Sequence, residues 1–143
     1  MVAFLSARRV VVRGWSMAPT LLPGDYLLVD TSAYRSHPPR RGEVVLARDP
    51  QDPHRLLLKR VAGVPGDYLG QDADGLVHRL EGGVPPPTPL VRTWRMGEGE
   101  YFLVGEADAF SQDSRTFGPV PRETILGRAW LVYWPPHRWR RLG

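Results

Sequence analysis

Residues 55–62 read Arg-Leu-Leu-Leu-Lys-Arg-Val-Ala. The turn-forming Asp49-Pro50-Gln51-Asp52-Pro53 precedes this run and Val64-Pro65-Gly66-Asp67 follows it, so it reads as a strand, the most apolar of the chain. Working toward the N-terminus, Glu43–Ala47 (EVVLA), Tyr26–Asp30 (YLLVD) and Arg9–Arg13 (RVVVR) repeat the same short, β-branched pattern. A loop rich in Ser, Pro and Arg spans residues 31–42, and Pro19 and Pro23-Gly24-Asp25 break the segment after Arg13 into a loop or a single helical turn. Toward the C-terminus, residues 68–99 form a weaker β excursion with a hairpin signal at Asp74-Gly75, and Glu100–Val104 and Gly127–Trp134 return to core-like strands. Only residues 121–126 leave room for a short helix. These readings predict an all-β, mainly antiparallel domain, a coiled or barrel-like sheet with very little helix.

The composition agrees. Gly and Pro together make up about a fifth of the 143 residues, against roughly an eighth in an average chain, which excludes long bundles and coiled coils. The length suits one domain over 1–143, with a core from 9–67 and 100–134 and the smaller excursion at 68–99. No cysteine is present, which removes disulfide scaffolds, thiolate metal sites and cysteine nucleophiles together. No apolar run reaches the roughly 18–20 residues of a membrane span, and MVAFLSARRVVVRG lacks the order of a secretory signal. The expectation is a chain that is cytoplasmic or lies peripherally on a membrane surface. A net charge of +4 is too slight and too spread to indicate nucleic acid. Neither a metal-binding motif nor a phosphate loop occurs, so no cofactor is expected.

Of the 19 basic residues, 18 are arginine and one is lysine, Lys59. An exposed basic position accepts either residue, but one that needs an amine able to lose its proton does not accept guanidinium. Burial in its apolar strand lowers the proton affinity of Lys59, and Arg60 adds to this if it lies close. The plainer reading is an edge-strand lysine reaching out to water. Ser16, Ser111 and Ser114 are the notable hydroxyls, and a serine needs a base to act as a nucleophile. The four histidines, His37, His54, His78 and His137, sit in loops, a hairpin and the tail, and read as surface residues.

Taken together, these residues resemble the type I signal peptidases, serine endopeptidases with a Ser-Lys dyad. Three boxes carry the resemblance in order: Ser16-Met17-Ala18-Pro19-Thr20-Leu21 with Gly24-Asp25; Arg41-Gly42-Glu43 followed by Lys59-Arg60-Val61-Ala62-Gly63-Val64-Pro65-Gly66-Asp67; and Ser111-Gln112-Asp113-Ser114-Arg115-Thr116-Phe117-Gly118. The resemblance implies that Ser16 is the nucleophile, that Lys59 is the general base, and that the Ser111 hydroxyl aims the lysine amine. It implies an ion pair of Asp113 with Arg115, shared with Arg60, beside the site. It also implies that Val12, Leu21, Leu46 and Leu58 line shallow pockets for small side chains, hence Ala-x-Ala-like cleavage sites in a precursor protein or leader peptide. Three departures stand out. The family's Gly-Asp-Asn is here Gly105-Glu106-Ala107, a second oxyanion donor found in some relatives is replaced by Gly14, and the membrane-spanning N-terminus usual in relatives that process secreted proteins is not expected here, so the chain resembles a short member without a transmembrane anchor.

Three other readings compete with signal-peptide processing. One is a maturation protease serving a single partner, such as nickel-type superoxide dismutase. Another is a self-cleaving domain like those of SOS-response repressors, which would bring a DNA-binding helical domain that these strands do not provide. The third is a non-catalytic β module that binds peptide or a membrane surface, with Trp130, Trp134 and Trp139 among Arg128, Arg138, Arg140 and Arg141 seated on anionic headgroups. The sequence does not indicate an oligomeric state.

Overall fold

The computed structural model describes residues 7–107 and 112–143. The elements in chain order are β1 (Ala7–Val11), β2 (Tyr26–Asp30), β3 (Val44–Asp49), β4 (Asp52–Gly63), β5 (Tyr68–Asp72), β6 (Val77–Leu80), β7 (Leu90–Arg95), β8 (Glu100–Val104), α1 (Ser114–Phe117), β9 (Val120–Pro121), β10 (Ile125–Trp134) and β11 (Arg140–Arg141). Single 3-10 turns lie at Ala33–Arg35, Arg122–Thr124 and Pro136–Arg138. None of the described helices is long and apolar enough to cross a membrane.

Every strand pairing is antiparallel. The larger sheet runs β1-β2-β10-β3-β4-β8-β9, with β11 beside β10, and the smaller runs β6-β5-β7. The expected β class is what the chain adopts. The predicted strand at 9–13 sits two residues earlier, because Val12 leaves the ladder to exchange hydrogen bonds with Asp25 and Gly24 across the next loop. Strand β7 and helix α1 have no counterpart in the expectations. In β7 all six side chains are exposed or only part-buried on an edge, and α1 is one turn, too short to show a period.

Alternation along β4 governs what the fold presents. Leu57, Lys59 and Val61 are buried, and the residues between them are half-buried. One core cluster joins Val12, Met17, Leu21, Leu27, Val29 and Leu46, with Leu56 and Leu58 packed against it, so it ties the β1–β2 loop to β3 and β4. A second gathers Val45, Ala47, Val61, Tyr101 and Leu103 on the opposite side of β3 and β4. A third, Leu69, Met96 and Phe102, fastens the small sheet to β8.

Two polar details tighten the small sheet and the strand crossing. The Asp72 carboxylate accepts from the Asp74 and Leu76 backbone N–H groups at 2.9 and 3.1 Å and lies 2.8 Å from His78 Nε2. His78 is thus a partner within its hairpin and not the bare surface residue expected. Gly127 occupies a bulge in β10 where an added Cβ would lie 2.6 Å from the Asp30 carbonyl oxygen and 2.9 Å from Val29 Cγ1. Backbone cannot yield there as a flexible side chain can. Gly127→Ala is expected to cost about 2–3 kcal/mol of stability, read as a lowered denaturation midpoint in urea.

Candidate active site

Ser16 lies in the loop between β1 and β2, and that loop is fixed from several sides. At its neck, the Val12 N–H donates to the Asp25 carbonyl at 2.8 Å and the Gly24 N–H to the Val12 carbonyl at 2.9 Å. Inside it, Met17 and Leu21 are essentially unexposed in the core, which leaves Ser16 half-buried at the surface. Asp25 is buried and accepts from Leu22 N–H at 3.0 Å and from Arg138 Nε and Nη2 at 2.7 and 2.9 Å. Burial alone would raise the Asp25 carboxyl; the Arg138 and Leu22 hydrogen bonds outweigh it and hold the group below its usual range. Arg138 and Arg140 both reach the Thr20 carbonyl, the former at 3.3 Å. From the far side of the sheet, Ala107 N–H donates to the Ser16 carbonyl at 2.9 Å, and the Thr20 hydroxyl donates to Glu106 Oε2 at 2.6 Å.

Lys59 is 3% exposed, on β4 opposite Val45 of β3. Desolvation is the largest influence on its amine. The Arg55 and Arg115 charges push the same way, Asp113 and Asp49 pull against them, and the pKa is pushed down to about 8. Arg60 takes no part. Adjacent strand residues face opposite sides, and Arg60 donates instead to Glu106 Oε1 at 3.0 and 2.5 Å and to the Gly42 carbonyl at 2.6 Å. The expected sharing of Arg60 with the Asp113–Arg115 pair is therefore corrected: its acid is Glu106, the residue that departs from the family pattern.

Asp113 and Arg115 pair at 2.6 Å, with Asp113 wholly buried. The same carboxylate accepts from the Gly105 and Arg115 backbone N–H groups at 2.8 and 3.0 Å, so it caps α1 and holds the end of β8 at once. Arg115 also donates to the Gly75 and Gly105 carbonyls at 3.0 and 3.2 Å. Ser114, also wholly buried, accepts from Leu103 N–H through its hydroxyl at 2.9 Å and serves packing. Ser111 lies outside the described residues.

A groove of about 360 Å³ is lined by both Ser16 and Lys59, together with Val12, Leu46 and Leu58. No histidine lines it among the described residues. Leu21 does not reach it: with no exposed surface, it packs in the core beneath the loop and supports the groove from below. Arg13, Trp15, Arg55 and Gln112 line it and were not singled out from the sequence. The pairings of Glu106, Thr20 and Arg138 with partners 46, 86 and 113 residues away lie beyond any local pattern. Of the four tail arginines, Arg138 and Arg140 are taken up by the loop that carries Ser16 and Arg128 lies 3.3 Å from Glu43. Most of the cations expected on anionic headgroups are thus used inside the fold.

Comparison of the sequence with known proteins finds a matching family and named relatives. A family model described as "Signal peptidase, peptidase S26" matches residues 1–79 and 85–134. The chain is similar to mitochondrial ATP-independent inner membrane protease subunit 1a of Arabidopsis thaliana, at 41% identity over 87% of this chain and 69% of that protein. It is also similar to probable signal peptidase I-1 of a Synechocystis strain, at 31% identity over 90% of this chain and 71% of that protein. Among solved structures, a signal peptidase I from Enterococcus faecalis matches 63% of this chain and 95% of its own, with 21% identity and a TM-score of 0.47.

Proposed function

Because the chain belongs to the signal peptidase family, peptidase S26, and is a serine endopeptidase that removes signal peptides, we propose that it does so with Ser16 as nucleophile and Lys59 as general base. The observation that carries this reading is the chain's one lysine, buried in the wall of the groove that holds Ser16 and with its proton affinity lowered into the working range. In the proposed reaction the neutral Lys59 amine takes the Ser16 hydroxyl proton as Oγ attacks the scissile carbonyl. The Ser16 backbone N–H then holds the oxyanion, and the ammonium returns its proton to the leaving amine. A water repeats the sequence on the acyl-enzyme. Val12, Leu46 and Leu58 give the groove a shallow apolar wall, which supports small residues before the cut, as in Ala-x-Ala sites. Asp113 and Arg115 brace the wall behind Lys59, and the resemblance assigns Ser111 to aim its amine.

The testing experiment is cleavage of an Ala-x-Ala peptide, with mass spectrometry locating the cut. Wild type should cut after the second alanine, and Ser16→Ala should lose at least about 10³-fold in kcat/KM. Cleavage by the Ser16→Ala protein would end the assignment. Ser111→Ala should lower kcat by about 10-fold or more with KM little changed, because aiming the base matters only as the proton moves. As to location, the exposed Trp134 and Trp139 support work at a membrane surface, and some relatives are named inner membrane proteases. Flotation with anionic vesicles, lost in a double Trp134→Ala, Trp139→Ala protein, tests that placement.

A further inference from the structure

Two lining residues give the groove a chemistry that the small-residue subsites do not use. Besides its apolar wall, the groove is lined by Arg13 and Arg55, and by no carboxylate among the described residues, although the chain carries 15 Asp and Glu. Arg55 lies four residues before Lys59 on β4 and shares its strand face, which at ~3.3 Å per residue puts it about 13 Å along the groove. Arg13 precedes Ser16 by three residues, at most ~10 Å of chain. The partners within the fold are weak. The nearest acid to Arg55 is Asp49 at 3.9 Å, and the Arg55 side chain stays 56% exposed. The contrast is with Arg60, Arg115 and Arg138, each held at 2.7 Å or less by a carboxylate.

We propose that Arg13 and Arg55 select leader peptides carrying an Asp or Glu within about four positions of the scissile bond. This rests on the groove being the cleavage site. An extended peptide lying along it would bring small side chains against Val12, Leu46 and Leu58 and a residue further along against the guanidiniums. Guanidinium is suited to this, since its planar fork meets a carboxylate with two parallel hydrogen bonds. A lysine at the same peptide position meets two like charges and is disfavoured.

The test uses matched Ala-x-Ala peptides with Asp, Asn or Lys placed in turn at each of four positions on either side of the cut. Binding to the full-length Ser16→Ala protein is read by fluorescence anisotropy, and cleavage by wild type is read in parallel at pH 9.5, where Lys59 is neutral. At one position or more, Asp is expected to bind about five- to tenfold more tightly than Asn, and Lys more weakly than Asn. The Asp preference should shrink in 0.5 M salt and fall toward one when Arg13→Gln and Arg55→Gln are combined with Ser16→Ala. With Arg55→Glu, the order of Asp and Lys should invert. Equal binding of all three peptides at every position overturns the proposal, even if all are cut. A charge preference in binding with no peptide cut upholds the two arginines and rejects the catalytic reading.

Discussion

Lys59→Arg is expected to abolish hydrolysis, lowering kcat/KM by at least about 10³-fold, because guanidinium cannot surrender a proton in the working range. Lys59 is 3% exposed, so the larger head could disturb packing on its own. Lys59→Met therefore runs beside it, removing the amine at nearly constant volume. Both proteins should give wild-type circular dichroism and no cleavage. In the proposed mechanism the neutral amine is the active form. With the pKa at about 8, kcat/KM should climb roughly tenfold per unit below that pH and level off above it. A rate flat from pH 6 to 10 would rule out a titrating amine. Stability carries the same signature. The lysine's folded-state value is depressed, so below about pH 8 the fold bears the full cost of a buried ammonium. That cost is relieved as pH rises from about 8 toward the ordinary lysine value. Urea midpoints of wild type and Lys59→Met should therefore converge as the solution is made alkaline.

Asp113→Ala is the largest expected loss of stability, about 3–5 kcal/mol. The substitution leaves Arg115, whose side chain is 11% exposed, without its carboxylate and strips the acceptor from the Gly105 and Arg115 backbone N–H groups. Asp113→Asn keeps the shape and one acceptor oxygen, so it should cost less and remain folded for kinetics. In that protein the acid limb of the activity profile should move to lower pH, since the Asp113 charge raises the proton affinity of Lys59. Arg115→Gln should move it the other way. An unmoved limb in both would show that the pair braces the wall without touching the electrostatics of the amine.

How much of this is legible beforehand depends on whether a residue's role is local. Strands β2 and β8 fall at the predicted bounds because apolar and β-branched residues there sit between clear turn residues. Lys59 stands out through chemistry, as the one amine among arginines. Only the resemblance places Leu21 in a pocket, and its loop has no period from which inward and outward sides can be read. The sharing of Arg60 with Asp113 likewise comes from the resemblance alone; strand parity separates Arg60 from Lys59, and its carboxylate, Glu106, is 46 residues away. The Gly105-Glu106-Ala107 departure replaces the family's Asp and Asn. In the fold, Glu106 joins Arg60 to Thr20 and the Ala107 N–H holds the Ser16 carbonyl, so the replacement still supports the loop that carries Ser16.

The fastening of that loop also bears on biosynthesis. Residues 12–25 are secured by Glu106 and Ala107 and by Arg138 and Arg140, partners 86 to 120 positions further along. A chain emerging from the ribosome presents residues 12–25 well before residues 106–107 and 138–140 have been added, and such distant closures come late in folding. The loop that carries Ser16 thus gains its restraints only after residue 140 has emerged, and a nascent copy is expected to stay inactive until then.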